Sequence, residues 1–142
     1  MERVEPAEFE QTFLVEASHI DDLGHVNNVA YLAWVQDVAE AHWRAVATPE
    51  QVETIAWVAT RHEIEYDRPA FEGDQILART WVESWTAVRS ERRTEIFRQG
   101  EDLPLVRART SWCALDATTM KPRRMPADLS DRFMRRVADD GG

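Results

Sequence analysis

The alternation of apolar and polar positions divides the chain into an early strand, one long helix and a succession of strands. Phe9 to Glu16 (FEQTFLVE) is rich in apolar residues with imperfect alternation and predicts a strand. Ser18 to Asn28 is polar, holds Gly24 and shows little periodicity. From Asn28 to Val46 the pattern becomes helical, with Asn27 or Asn28 as the N-cap whose side-chain oxygen takes an otherwise unpaired backbone N–H. Gln36, Glu40 and Arg44, at steps of four with Asp37 beside them, form one narrow wet stripe. Val29, Ala30, Tyr31, Leu32, Ala33, Trp34, Val35, Val38 and Ala39 make the rest apolar. A helix apolar around most of its girth is one enclosed by other elements.

Thr48-Pro49-Glu50-Gln51 predicts a second, short helix, with a threonine cap, proline at the first position and a glutamine three residues on. Strands follow. Ile55 to Tyr66 alternates, which predicts Val58, Thr60, His62, Ile64 and Tyr66 on one face. Gln75 to Trp85 and Val88 to Arg98 form a hairpin around Thr86-Ala87, and Leu105 to Leu115 is the last long strand after a turn at Gln99-Gly100-Glu101-Asp102. Asp128 or Ser130 opens a short C-terminal helix reaching Val137. The expected architecture is therefore α+β, one helix on an antiparallel sheet. Such a sheet cannot surround that helix alone, so a second subunit is expected to help.

Composition narrows the class. The 142 residues read as one domain, 1–142, with no internal repeat or linker. A single cysteine, Cys113, forms no intrachain disulfide, no apolar run approaches the roughly 20 residues of a membrane span, and MERVEPAEFE is no signal peptide. These features point to the cytoplasm and away from a membrane. Seventeen basic against 26 acidic residues give a net charge of −9, which argues against nucleic acid as a partner. Basic residues concentrate late, at Lys121, Arg123, Arg124, Arg132, Arg135 and Arg136.

Asp21-Asp22-Leu23-Gly24-His25-Val26-Asn27-Asn28-Val29-Ala30-Tyr31 resembles the signature of the 4-hydroxybenzoyl-CoA thioesterase-like hotdog family, in which an Asp-x-x-Gly segment leads into the central helix. Tyr66 to Asp74 (YDRPAFEGD) and Leu115 to Pro126 (LDATTMKPRRMP) are similar to two further family stretches. The likeness spans residues 9 to 126, leaving 127–142 as a tail. It implies a five-stranded antiparallel sheet wrapped around a long central helix, homodimers or dimers of dimers paired sheet edge to edge, and active sites at the subunit interface.

The resemblance also implies an acyl-CoA thioesterase that needs neither metal nor cofactor. Asp21, three positions before Gly24, matches the catalytic aspartate, acting as nucleophile or as general base on water; Asp22 does not have that spacing. The first N–H groups of a helix have no internal partner and carry the positive end of its dipole. Asn28 matches the family position whose main-chain N–H polarises the thioester carbonyl. His25 matches a histidine of plant acyl-carrier-protein thioesterases, although Leu23 stands where those carry asparagine, so His25 acts directly or orients the loop. Arg89, Arg92, Arg93, Lys121, Arg123 and Arg124 are candidates for the coenzyme's phosphates. His19, Asp21, Asp22 and His25 lack a recognisable metal-ligand spacing. His42, His62 and Cys113 are expected in packing roles, and the six tryptophans as anchors or acyl-pocket walls. A carrier-protein thioesterase and a non-catalytic acyl-CoA-binding hotdog are the alternatives.

Overall fold

The computed structural model describes residues 2–138. Strand β1 (Glu2–Pro6) is followed by β2 (Phe9–Leu14), in which Phe9, Gln11 and Phe13 turn inward and the residues between them face solvent. Helix α1 runs from Asn28 to Val46, the predicted span. Asn27 is the cap: its Oδ1 accepts from the Ala30 N–H at 2.8 Å. Helix α1 stops where Ala47 turns extended, at φ −68° and ψ 153°, and Pro49 holds Thr48 extended after it. Thr48, at φ −67° and ψ 156°, caps α2 (Pro49–Thr54) through a reciprocal pair with Gln51.

Strands β3 (Ile55–Tyr66), β4 (Gln75–Trp85), β5 (Arg89–Arg98) and β6 (Val106–Asp116) join β2 in an antiparallel sheet of order β2-β4-β5-β6-β3. The expected hotdog topology is present. Helix α1 crosses one face of the sheet, carrying the chain from the β2 edge to the β3 edge. Its buried side, Ala30, Tyr31, Trp34, Val35, Val38, Ala39, His42 and Trp43, packs on the inner residues of the strands. Val29, Ala33, Gln36, Asp37, Glu40 and Arg44 remain outside as one exposed stripe. The outer sheet face is a charged lattice, with Glu83 bridging Arg93 at 2.9 Å and Arg109 at 3.5 Å.

Two expectations are corrected. Strand β3 does not keep one phase: its register against β6 shifts between Ala59 and Arg61, so Thr60 is an extra residue. A bulge of one residue exchanges the two faces. Ile55 and Trp57 therefore pack inward before it and His62 and Ile64 after it, while Val58 is exposed. The C-terminal helix does not reach Val137. Helix α3 covers only Leu129–Arg132, and β7 (Met134–Ala138) then pairs with β1, placing Arg135 opposite Glu5 in an ion pair. Leu129 and Phe133 are fully buried, so the core extends past residue 126. Phe133 packs against His42, Trp43 and Trp85, and its carbonyl accepts from Ala7.

Candidate active site

The polar stretch before α1 folds into a small reversal. Ile20 bridges Val26, the Asp21 N–H donates to the His25 carbonyl at 2.8 Å, and the Asn27 N–H donates to the His19 carbonyl at 2.9 Å. The turn needs Gly24, whose φ of +81° lies in the left-handed region that side chains disfavour. Asp21 Oδ1 accepts from the N–H groups of Leu23 (2.9 Å) and His25 (3.1 Å), which fixes the carboxylate against its own turn. Its Oδ2 has no protein donor among the described residues, and the residue is exposed. Asp22 is exposed as well, and its carboxylate makes no hydrogen bond within the described chain.

The reversal sets Asp21 two residue pairs from the start of α1. Asn27 caps the Ala30 N–H, while the N–H groups of Asn28 and Val29 have no protein acceptor among the described residues. Those two groups are the unpaired donors at the positive end of a 19-residue helix. The reversal thus holds an anchored carboxylate and the unpaired donors of the helix start within one short segment, residues 21–29. The second motif stretch supports it: the Val26 N–H donates to the Ala70 carbonyl at 3.0 Å, and the Ala70 N–H donates to the Tyr31 hydroxyl at 2.9 Å. Burial raises the Tyr31 phenol above its ordinary value, which keeps it neutral. His25 lies edge-on to Phe71 at 5.5 Å, and His19 takes the Glu16 N–H on Nδ1. Leu23, Val29, Tyr66 and Phe71 leave an exposed apolar rim around the helix start.

The basic residues lie elsewhere. Segment 121–125 runs beside the β4–β5 turn: the Arg123 N–H donates to Ala114, the Met125 N–H to Ala87, and the Ala114 N–H to Val88. Arg89, Lys121, Arg123 and Arg124 thereby share one end of the sheet, where β3 begins at Ile55 opposite Asp116. Asp21 and Asn28 are at the other end, beside the loop that follows Tyr66. The two groups are separated by roughly 35 Å, the length of β3 at about 3.3 Å per residue. Within one chain the structure does not bring them together. Arg92 is not an exposed phosphate contact at all; it is buried, because it shares the inner phase of Ser90, Thr94 and Ile96. That phase is visible in the sequence as alternation through SERRTEIF. Arg93 is held by Glu83.

A well-formed cavity also lies away from Asp21. About 420 Å³ in volume, it sits beside the second half of α1 and contains Trp43, Trp57, Trp85, Trp112 and Arg92 in its lining. His62 has the partner its inward position requires, with Nδ1 3.1 Å from Thr110 Oγ1, and His42 and Cys113 are buried packing residues. No helix among the described residues is long and apolar enough to cross a membrane.

The model of the thioesterase-like superfamily matches residues 15–133. Among solved structures, a 1,4-dihydroxy-2-naphthoyl-CoA thioesterase from Synechocystis superposes with a TM-score of 0.76 at 19% identity, over 89% of this chain and 96% of that one. A probable thioesterase from Escherichia coli gives 0.73 at 23% identity, over 87% and 94%. A predicted thioesterase from Bacillus stearothermophilus gives 0.77 at 20%, over 89% and 94%. At these identities the likeness shows the shared fold. No curated protein matches the sequence significantly.

Proposed function

This chain belongs to the thioesterase-like superfamily, a thioester hydrolase by that membership, and we propose that it cleaves an acyl-CoA at a site shared between two copies. The observation that carries the reading is the pairing of an anchored Asp21 carboxylate with the unpaired N–H groups of Asn28 and Val29. A thioester carbonyl seated on those donors gains negative charge as it is attacked. Donors already in place stabilise that transition state more than the ground state. Asp21, through its free Oδ2, either attacks the carbonyl to form a mixed anhydride that water then hydrolyses, or takes the proton of a water that attacks directly. The coenzyme leaves as the thiol and the acyl group as a carboxylic acid.

The second copy follows from the separation of acid and base. Among the described residues, strand β3 is paired on one side only, leaving the other edge of its 12 residues open. Antiparallel pairing of two β3 edges across a twofold axis sets the start of one strand opposite the end of the other. Arg89, Lys121, Arg123 and Arg124 of one copy then approach Asp21 of the next, where the phosphates of coenzyme A need them. The exposed apolar rim at Leu23 and Val29 gains cover in the same step. A panel of acyl-CoA thioesters with a thiol-detecting readout tests the reaction. Wild type is expected to release thiol and Asp21→Asn to release almost none; no thiol from any acyl-CoA would refute the proposal.

A further inference from the structure

The cavity beside the second half of α1 is walled by aromatic rings. Trp43 stacks on Phe133 at 5.9 Å, and Trp57 meets Trp43 at 5.5 Å and Trp85 at 6.4 Å, both edge-on. Trp112 adds to the wall from β6. The volume of about 420 Å³ falls in the range of ordinary small-molecule sites, about 300–1,000 Å³.

Arg92 enters this lining from β5 and is 6% exposed. Its Nη1 donates to His42 Nδ1 at 2.8 Å and to Thr80 Oγ1 at 3.2 Å. Both partners are neutral. Burial, aided by the charge of Arg92, pushes His42 down to about 3, so at neutral pH the imidazole is an uncharged acceptor. Burial lowers Arg92 itself only to about 10, which leaves it a cation. Among the described residues no carboxylate pairs with it, and no acceptor reaches its Nε or Nη2. Asp37 and Glu40 line the cavity from α1, but both are exposed, and Glu40 is held by Arg44 at 3.1 Å. Trp85 and Trp112 each bury an indole N–H that has no acceptor. The buried nitrogens around this cavity that lack a partner among the described residues are therefore all donors, some of them on a charged side chain.

We propose that the cavity binds a small aromatic carboxylate, its flat body among the tryptophans and its carboxylate on Arg92. A guanidinium fork matches a carboxylate in shape and charge. A phosphate would bring more negative charge than Arg92 balances, because the other lining arginine, Arg44, is paired with Glu40 and Asp37 lines the cavity too. A neutral ligand would leave the buried cation unpaired. Two sources carry this chemistry: a free acid, and an acyl group ending in a second carboxylate. The proposal stands apart from the hydrolase reading, because binding is read without turnover.

Calorimetric titration of the full chain with trans-cinnamate and with cinnamamide, its uncharged analogue, tests it. Cinnamate is expected to saturate at least about tenfold more tightly, the difference that one charge-assisted hydrogen-bonded contact makes. Arg92→Gln should reduce cinnamate to the level of the amide. Trp57→Leu, on the partly exposed edge strand, should weaken both ligands and serves if Arg92→Gln does not fold. Displacement of cinnamate from the Asp21→Asn protein by the coenzyme A monothioester of terephthalate would assign the cavity to the far end of an acyl group. Binding undisturbed by it would assign the cavity to a free acid; either result requires that the acid is bound. Equal affinity for acid and amide, no binding of cinnamate, or unchanged affinity in folded Arg92→Gln would overturn the proposal.

Discussion

At the scale of single residues, the start of α1 separates what a side chain does from what its backbone does. Asn27 is the cap, so Asn28→Ala removes neither a cap nor an N–H and is expected to leave turnover within a few-fold of wild type. Asn28→Pro deletes that N–H at the first helical position, where proline fits. Asn27 already has the extended backbone that must precede proline, at φ −74° and ψ 157°. Turnover should fall by about a hundredfold or more, the loss that accompanies one oxyanion donor. Equal, severe losses in both variants would assign the role to the Asn28 side chain. Likewise Asp21→Asn should abolish turnover and Asp22→Asn spare most of it, measured with the same substrate; similar losses would remove the distinction. Asp21 and Gly24 were legible because the turn chemistry is local. The burial of Arg92 was overlooked beside Arg93, since composition marks both as surface residues while only strand phase tells them apart.

His42 offers a residue-scale test in pH. Its imidazole has an ordinary value of 6.5 and is pushed down to about 3 in the folded chain. Between those values the unfolded chain binds the extra proton, so stability falls as pH drops from 6.5 towards 3 and is unaffected by this group above 6.5. Urea unfolding should show His42→Gln losing less stability than wild type over that window, by up to about 1.4 kcal/mol per pH unit. Parallel losses would mean that His42 is not the source.

Among elements, the span of α1 and the start of α2 were legible from local signals. Asn27 fixes the start of α1, and Thr48 and Pro49 the start of α2, by contacts no more than four residues away. Features that depend on distant partners were not. The Thr60 bulge exists only in register with β6, and β7 exists only because β1, some 130 residues earlier, lies beside it. The tail is nonetheless part of the core, since Phe133 is fully buried against His42, Trp43 and Trp85. Phe133→Ala should cost about 3–5 kcal/mol by chemical denaturation, as removal of a buried aromatic ring does. A cost below about 1 kcal/mol would show the C-terminal segment to be an appendage.

For the whole molecule, the question is whether Asp21 and the basic end of the sheet work together across two chains. The fold was legible from one periodic helix and a run of strands, and the resemblance implied a site at a subunit interface, but which residues each copy would supply was not legible. Pattern along a chain says nothing of which end of a 12-residue strand faces which. Two inactive variants answer it directly. Asp21→Asn keeps the basic end and loses the carboxylate. A chain with Lys121, Arg123 and Arg124 all changed to Gln keeps the carboxylate and loses phosphate binding. Subunits of the two are mixed, allowed to exchange, and assayed for kcat/KM against an acyl-CoA. A shared site predicts that each mixed dimer regains one wild-type site, so the mixture exceeds both parents and approaches about a quarter of wild-type activity, half the dimers being mixed with one site restored in each. Activity that remains the average of the two parents, in a sample shown to have exchanged, would contradict the account.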